Sequence, residues 1–586
     1  MFDLRVLRVA VPAVLLALIV VAFSLENRPE PLRTSFSADA FQAPRVVRDV
    51  GVFAARFRDR RPGGGDDVAL AEVVATRLGR LFPGVQVRRS SVRAPTIDGD
   101  RDLVTVRAQQ PGTMPGGQLV VVAPRDAAAR GGAADLSGTA AMLELARVFS
   151  RSRPRRSITF ASVSGGSGGQ GGIRDLVQRL DRPIDALIEI GDIGGPAIRS
   201  PAIVGWSDTA GAAPQRLVRT LALALRTRAQ TDGGAPQARA QLARFAFPLS
   251  LSGQGVALRD GLAAVRLSMS GEGPPSPRAG VDAGRAGRVG QALLSALTAL
   301  DGGPDVPAEV SRDLVVSRKV IPGWALRLLI GVLLLAPLAM IADAVTRLRQ
   351  RQPGLRAGLS QVLAHTFPVV LAFVLVRVVA LLGLFNVTAP PAPPGAVPFD
   401  VRGALALACG VLALVLGAVL VRPGIQRRRA AFPGAGSPLT LAPVAVVVAC
   451  ASAWWLVNPY AALVLVLPCY LWLVVAGRVV HPRRGPAVAA VLVSLLPAAV
   501  LLQSVAAQLG TGLGNAPWFA FLALAGGQGG LLASLAWALA LGAAAAALRA
   551  AWDAGTTDAA RPVTVRGPVS YAGPGSLGGT RSARRR

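Results

Sequence analysis

Histidine and cysteine are almost missing from this chain, with two and three residues respectively out of 586. Cys409, Cys450, Cys469 and His365 lie in long apolar runs, and His481 lies in a basic loop between two such runs. Any part exported across a membrane therefore has no disulfide, no thiolate ligand and no imidazole. This excludes Cys- or His-ligated zinc there, and a His-activated serine as well. Acids are also scarce, 33 Asp and Glu against 63 Lys and Arg, which leaves a net charge of +30 carried mostly by Arg. With aromatics at 5% and no aromatics interleaved among the basic residues, the charge does not read as a nucleic-acid footprint, and no nucleic-acid partner is expected.

What the chain does have is apolar residues, 52% of the total, with a mean hydropathy of +0.47. That is too apolar for one soluble domain of this length and implies a lipid bilayer as partner. The first apolar run, residues 9–23, follows Arg5 and Arg8 and precedes Glu26, the charge order of a segment that exports the chain after it. Ala22-Phe23-Ser24 also fits a cleavage site, so signal anchor and signal peptide both stay open for residues 1–24, the anchor being preferred. Further runs at 326–345, 359–385, 404–421, 441–457, 461–476, 487–505 and one ending near 548 predict about seven spans within 306–550. The glycines around Gln528 break residues 517–548 into either one span with a re-entrant turn or two spans. Arg347, Arg349, Arg351, Arg356, Arg427 to Arg429, Arg483, Arg484 and Arg584 to Arg586 lie between or after the spans. The positive-inside bias then puts the basic, disordered tail 551–586 in the cytoplasm and residues 25–318 outside the cell membrane. Arg377 lies within a span, with Asp343 in the preceding one as its expected partner.

Past a linker at 25–45, residues 46–305 alternate helical and strand patterns. Helices are predicted at 67–81, 139–149 and 214–227, and strands at 103–107, 119–123, 157–163 and 184–190. This is the pattern of an α/β fold layered around one sheet. Residues 118–126 (QLVVVAPRD) read as a buried strand delivering a polar turn, and 131–147 as a glycine-rich turn opening an apolar helix. The glycines flanking Ser167 and Gln170 lack the Lys-Ser/Thr that a phosphate loop needs.

Taken together, residues 65–300 resemble the M28 family of zinc aminopeptidases. The resemblance implies a three-layer sandwich around a mixed sheet, with a two-zinc site at the carboxyl ends of its strands. Residue by residue, however, the ligands are gone. The family's His-x-Asp falls on Pro124-Arg125-Asp126, and its bridging Asp on Ala134, with Asp135 one position late. Its Gly-Glu-Glu turn falls on Gly165-Gly166-Ser167, its Leu-Asp-Met-Ile-Gly on Ile190-Gly191-Asp192-Ile193-Gly194, and its final His on Gln254. Asp126, Asp135 and Asp192 remain, an oxygen-only set better suited to Ca²⁺ or Mg²⁺ than to zinc. The plainer role for them is to cap glycine-rich turns by accepting backbone N–H bonds.

The favoured expectation is an exported M28-like domain without catalytic residues or cofactor, binding a peptide, a glycan or an envelope protein beside a transmembrane helix bundle. The layout is similar to that of the Gaa-type subunit of GPI transamidase, in architecture alone. Two alternatives stay open. One is a metallohydrolase with a divalent metal on the three Asp. The other is a transporter or lipid-handling bundle with the exported domain as its receptor.

Overall fold

The computed structural model describes residues 4–196, 201–234, 237–306, 310–349, 354–388, 392–431, 436–476, 484–512 and 514–557. His481, Arg351, Arg483 and the tail from 558 onward fall outside them, and at Arg347, Arg349, Arg356, Arg427 to Arg429 and Arg484 only the backbone is described.

The described strands are, in chain order, β1 (Glu26–Asn27), β2 (Arg88–Thr96), β3 (Gly99–Gln110), β4 (Gln118–Pro124), β5 (Ser157–Val163), β6 (Ile184–Ile190), β7 (Ile203–Val204), β8 (Ala264–Leu267), β9 (Leu314–Val316) and β10 (Lys319–Ile321). Seven of them form one mixed sheet in the order β2-β3-β5-β4-β6-β8-β7. Its centre, β5-β4-β6-β8, is parallel, with Val120 opposite Thr159 and Val121 opposite Ile188. β4 is a nearly unbroken Val-rich run buried at every position but the last, as expected where helices cover both faces. Helices Gly65–Leu81, Ser137–Phe149 and Ala283–Gly302 lie on one side, and Gly171–Arg179 and Gly253–Arg259 on the other. This is an α/β sandwich around a mixed sheet. The strands and helices predicted from periodicity are all present. β2 and several short helices were not anticipated, because their polar or exposed residues dilute the period.

The residues read as a linker contain β1, which pairs with β10 just before helix Gly323–Arg349. The N-terminal helix Leu4–Phe23 packs against that same helix, so the strand pair ties the two helices together at one end.

Beyond residue 322 the chain is helical. Six helices are long and apolar enough to cross a membrane: Gly323–Thr346, Gly358–Leu381, Val401–Val421, Pro459–Ala476, Gly485–Leu509 and Gly530–Trp552. Ala10–Phe23, Leu441–Val457 and Ala516–Ala525 are shorter apolar helices. The segment left open in the sequence resolves into helix Ala516–Ala525, a glycine turn with positive φ at Gly527 and Gly529, and a long last helix. Ten residues span about 15 Å, half of a bilayer's hydrocarbon core. Both flanks of the short helix also meet the α/β domain, through Gln508 bonded to Arg244 (3.0 Å) and Gln528 bonded to the Pro248 carbonyl (3.0 Å).

Arg377 donates to the Ala525 carbonyl at the end of that short helix. The chain turns through glycines there, and the helix's carbonyl end, with its partial negative charge, serves as the acceptor.

The α/β domain is seated on the bundle. Asn458, alone between helices Gly436–Val457 and Pro459–Ala476, caps the second through Tyr460 N (3.1 Å) and donates to the Phe245 carbonyl (2.8 Å). The Tyr460 hydroxyl bonds the Arg312 carbonyl, and the Phe245 and Tyr460 rings pack at 4.7 Å. Arg244 forms a buried pair with Glu272 at 2.6 Å while also reaching Gln508.

Candidate functional site

The parallel strands β4, β5, β6 and β8 end side by side, and the loops after them bring the sequence-predicted residues into one region. The Asp126 carboxylate accepts from Gly166 N (2.9 Å), Ser167 N (2.9 Å) and Ser167 Oγ (2.6 Å). That of Asp192 accepts from Gly194 N (2.9 Å), Gly195 N (2.7 Å), Ser137 Oγ (3.2 Å) and Ser270 Oγ (2.5 Å). Both acids are therefore engaged in fixing turns. Asp192 caps its own Asp-Ile-Gly-Gly turn, while Asp126 meets a Gly-Gly-Ser turn from a separate segment, and each turn offers two successive N–H groups.

Pro124, at the end of β4, lies against Gly166, where a Cβ would come within 2.5 Å of the Pro124 Cβ. The position matched to the imidazole and the position matched to the carboxylate base thus fill each other's space. Gly165 and Gly169 have positive φ, as does Gln170 at 52°, which is held in place by donating to the Gly166 and Leu251 carbonyls (2.9 Å each). Ala134 is buried in the turn before helix Ser137–Phe149. Gly138 on that helix approaches the carbonyls of Ile190 and Gly191, and a Cβ would come within 2.5 Å of both. Gln254 is fully buried, donating its backbone N–H to Glu189 (2.9 Å) and its amide to the Trp206 carbonyl (3.2 Å) and Ser250 (3.1 Å). Its Oε1 has no partner among the described residues.

Sequence reasoning missed the buried cations here. Arg125, the middle residue of the matched tripeptide, is fully buried and bonded to Asp67 at 2.9 Å, with further bonds to the Ser162 and Val104 carbonyls (3.2 and 2.7 Å). Asp67 also accepts from Ser164 Oγ (2.7 Å) and Gly63 N (3.0 Å), yet burial holds its carboxyl above the usual range despite Arg125. Arg60 is 1% exposed and donates to the carbonyls of Phe57 (2.7 Å), Gly132 (2.6 Å) and Arg125 (3.3 Å). Burial lowers its pKa, and the fields of Asp135 and Asp126 oppose that. Arg266 pairs with the buried Glu189. Only Arg125 carried a signal, as an Arg just past a strand's end, and exposed arginines occur there too.

Asp135 is the outlier of the three acids. It is half-buried, and burial pushes its carboxyl up to about 7, with Arg60 opposing and Asp192 and Asp126 adding to the rise. A carboxyl raised in this way stabilises the fold below its ordinary value near 3.8 and loses that contribution as pH rises through about 7. Asp135→Asn is therefore expected to raise stability by about 2 kcal/mol at pH 8, allowing for the carboxyl's partial exposure, and by nothing near pH 4. Thermal melts of the purified protein across that range check it, and a pH-independent difference would contradict the assignment.

Among the described residues no three of His, Cys, Asp and Glu lie where they could hold an ion. The Asp126 and Asp192 oxygens are already engaged, and guanidinium groups supply the nearby positive charge.

The mouth of the site is covered from the bundle. Thr388 and Ala392, between helices Gly354–Leu381 and Val401–Ala431, reach the glycine loop, Ala392 lying 3.1 Å from where a Gly168 Cβ would be. Ala392 and Ala396 pack on Ile97, and Asn386 donates to the Ile97 carbonyl (3.3 Å).

Solved structures similar to this chain include LapB from Legionella pneumophila (15% identity, TM-score 0.37, covering 48% of this chain and 78% of that one). Others are BSAP, a zinc aminopeptidase from Bacillus subtilis (11%, 0.37, 46% and 98%), and Porphyromonas gingivalis glutaminyl cyclase (15%, 0.33, 44% and 98%). These likenesses assign no chemistry to this chain. No family model matches the sequence, and no curated protein matches it.

Proposed function

We propose that this chain is a multi-pass membrane protein whose exported α/β domain is a binding scaffold without metal chemistry, seated with its strand-end face on its own helix bundle. The reading rests on the packing of Pro124 against Gly166, which leaves no room for a side chain where a catalytic base would stand. The saturated carboxylates of Asp126 and Asp192 support it, as does the coverage of the glycine loop by Ala392. Residues 46–305 form the exported domain and 306–550 the bundle. Residues 25–318 then lie outside the cell membrane and the C-terminus inside, the orientation favoured by the arginine distribution. The domain's partner is a peptide, a glycan or another envelope protein, gripped outside the covered cleft.

The test is elemental analysis and calorimetric Zn²⁺, Mn²⁺ and Ca²⁺ titration of the full-length protein beside an Asp126, Asp135 and Asp192 triple-Ala variant. Neither protein should bind metal stoichiometrically. Tight one- or two-ion binding that vanishes in the triple variant would replace this reading with a metallohydrolase.

A further inference from the structure

Away from the strand ends, a cavity of about 140 Å³ opens beside the edge strand β7. Apolar side chains of Ile203, Val218 and Ala222 line part of it, and Arg28, Arg219 and Arg226 line another. The three arginines come from separate stretches of chain. Arg28 follows β1 directly, whereas the other two lie on the helical stretch that starts at Gln215. They are held close enough that burial, together with Arg219 and Arg226, lowers the Arg28 pKa. Arg219 is pinned by donating to the carbonyls of Arg28 (2.9 Å) and Pro29, and Arg28 by donating to the Ser317 carbonyl (3.1 Å). None of the three has a carboxylate within ion-pair distance among the described residues, and Arg226 is exposed.

Two acids also line the cavity. Asp313 is committed to Gly323 N (2.9 Å) and Ser311 Oγ (2.9 Å), where it holds the start of the next apolar helix, and Asp232 is exposed. Three buried polar atoms of lining residues have no partner among the described residues: the donors Arg28 Nε and Trp206 Nε1, and the acceptor Gln215 Oε1. Buried polar atoms are costly to leave unpaired, so the set calls for an anionic oxygen together with a hydroxyl.

The place of the cavity narrows the source. Arg28 is five positions beyond the end of helix Leu4–Phe23, and Asp313 bonds the first residue of helix Gly323–Arg349. Phe23 at the first helix's end is 88% exposed, and Trp324 at the second's start is 58% exposed, as residues facing an interface would be. An anion that reaches this cavity with an apolar body attached comes most directly from the bilayer.

We propose that this cavity is a binding site for the head group of an anionic phospholipid, its phosphate held by Arg28, Arg219 and Arg226 and a head-group hydroxyl by Gln215. Arginine suits this role because its planar fork matches phosphate oxygens. The site is independent of whether the strand-end face ever holds a metal.

The test uses full-length protein in nanodiscs of phosphatidylglycerol or phosphatidylcholine, with retained lipid counted by native mass spectrometry after release, and inorganic phosphate titrated separately as a lipid-free probe. Phosphatidylglycerol should be retained at least tenfold over phosphatidylcholine. Retention should fall about tenfold in Arg28→Gln/Arg226→Gln, and inorganic phosphate should bind only weakly. If the double variant does not fold, the exposed Arg226→Gln alone carries the test, with a threefold or greater loss expected. Equal retention of the two lipids, or retention unchanged in a folded variant, overturns the proposal. Tight phosphate binding without lipid preference also overturns it, by moving the source from the bilayer to solution.

Discussion

Replacing Arg125 by leucine is expected to lower the stability of the α/β domain by about 3–5 kcal/mol, because it strands the Asp67 carboxylate in the core. Arg125 and Asp67 are both fully buried, so no water compensates either one. The Asp67 carboxyl is already held above its usual range by burial, with Arg125 the main opposing influence. Removing the guanidinium removes that opposition and three carbonyl contacts at once. In a domain of this size the loss corresponds to roughly a 10 °C fall in thermal midpoint. The Arg125→Leu/Asp67→Leu double variant should recover most of it, since a buried pair is commonly replaceable by apolar residues of similar volume. Thermal melts of the full-length protein decide the matter. A single variant that melts like the parent would mean that Asp67 takes up a proton at little cost.

Gly166→Glu, which returns a carboxylate to the position matched to the catalytic base, should cost about 3 kcal/mol and gain no zinc. Its Cβ would come within 2.5 Å of the Pro124 Cβ, and the turn it belongs to is fixed by the Asp126 bonds to Gly166 N and Ser167 N. Pro124→Gly in the same chain should return part of the loss, because it removes the Cβ that the new side chain meets and the effects of two positions in contact do not add. Additive losses, measured by melting the two single variants and the double, would show that the positions do not compete for space. A gain of zinc in either variant would revive metal chemistry at the site.

The sheet was legible because its central strands are short Val- and Ile-rich runs that must be buried on both faces, and β4, β5 and β6 fall where those runs lie. The bundle was legible for the same reason at greater length. The strand β2 was not, as its nine residues mix Arg and Ser with small side chains and carry little apolar period. At the site, Asp192 caps its own Asp-Ile-Gly-Gly turn, a use legible in the sequence, whereas Asp126 reaches Gly166 and Ser167 from a distant segment that only the fold brings near. The roles of Arg60, Arg125 and Arg266 could not be read in the same way. What buries an arginine is a carbonyl or carboxylate from a distant segment, such as Gly132 for Arg60 or Glu189 for Arg266, and only the tertiary fold sets that distance. Arg377 illustrates the same limit in the bundle. Sequence offers Asp343, in the preceding span, as a partner, while the fold brings it a helix end from far along the chain.

The seating of the α/β domain on helices made after it has a consequence for how the protein is assembled. The strand β1 finds its partner β10 only after the whole domain has been synthesised, and Ala392, Asn458, Gln508 and Gln528 emerge later still. During translation the domain can therefore fold with its glycine loop bare, before the later helices close over a surface already formed. A chain that stalls after the third long helix would leave Phe245, Arg244 and Pro248 exposed to water, and that incomplete form is the one a quality-control protease would meet.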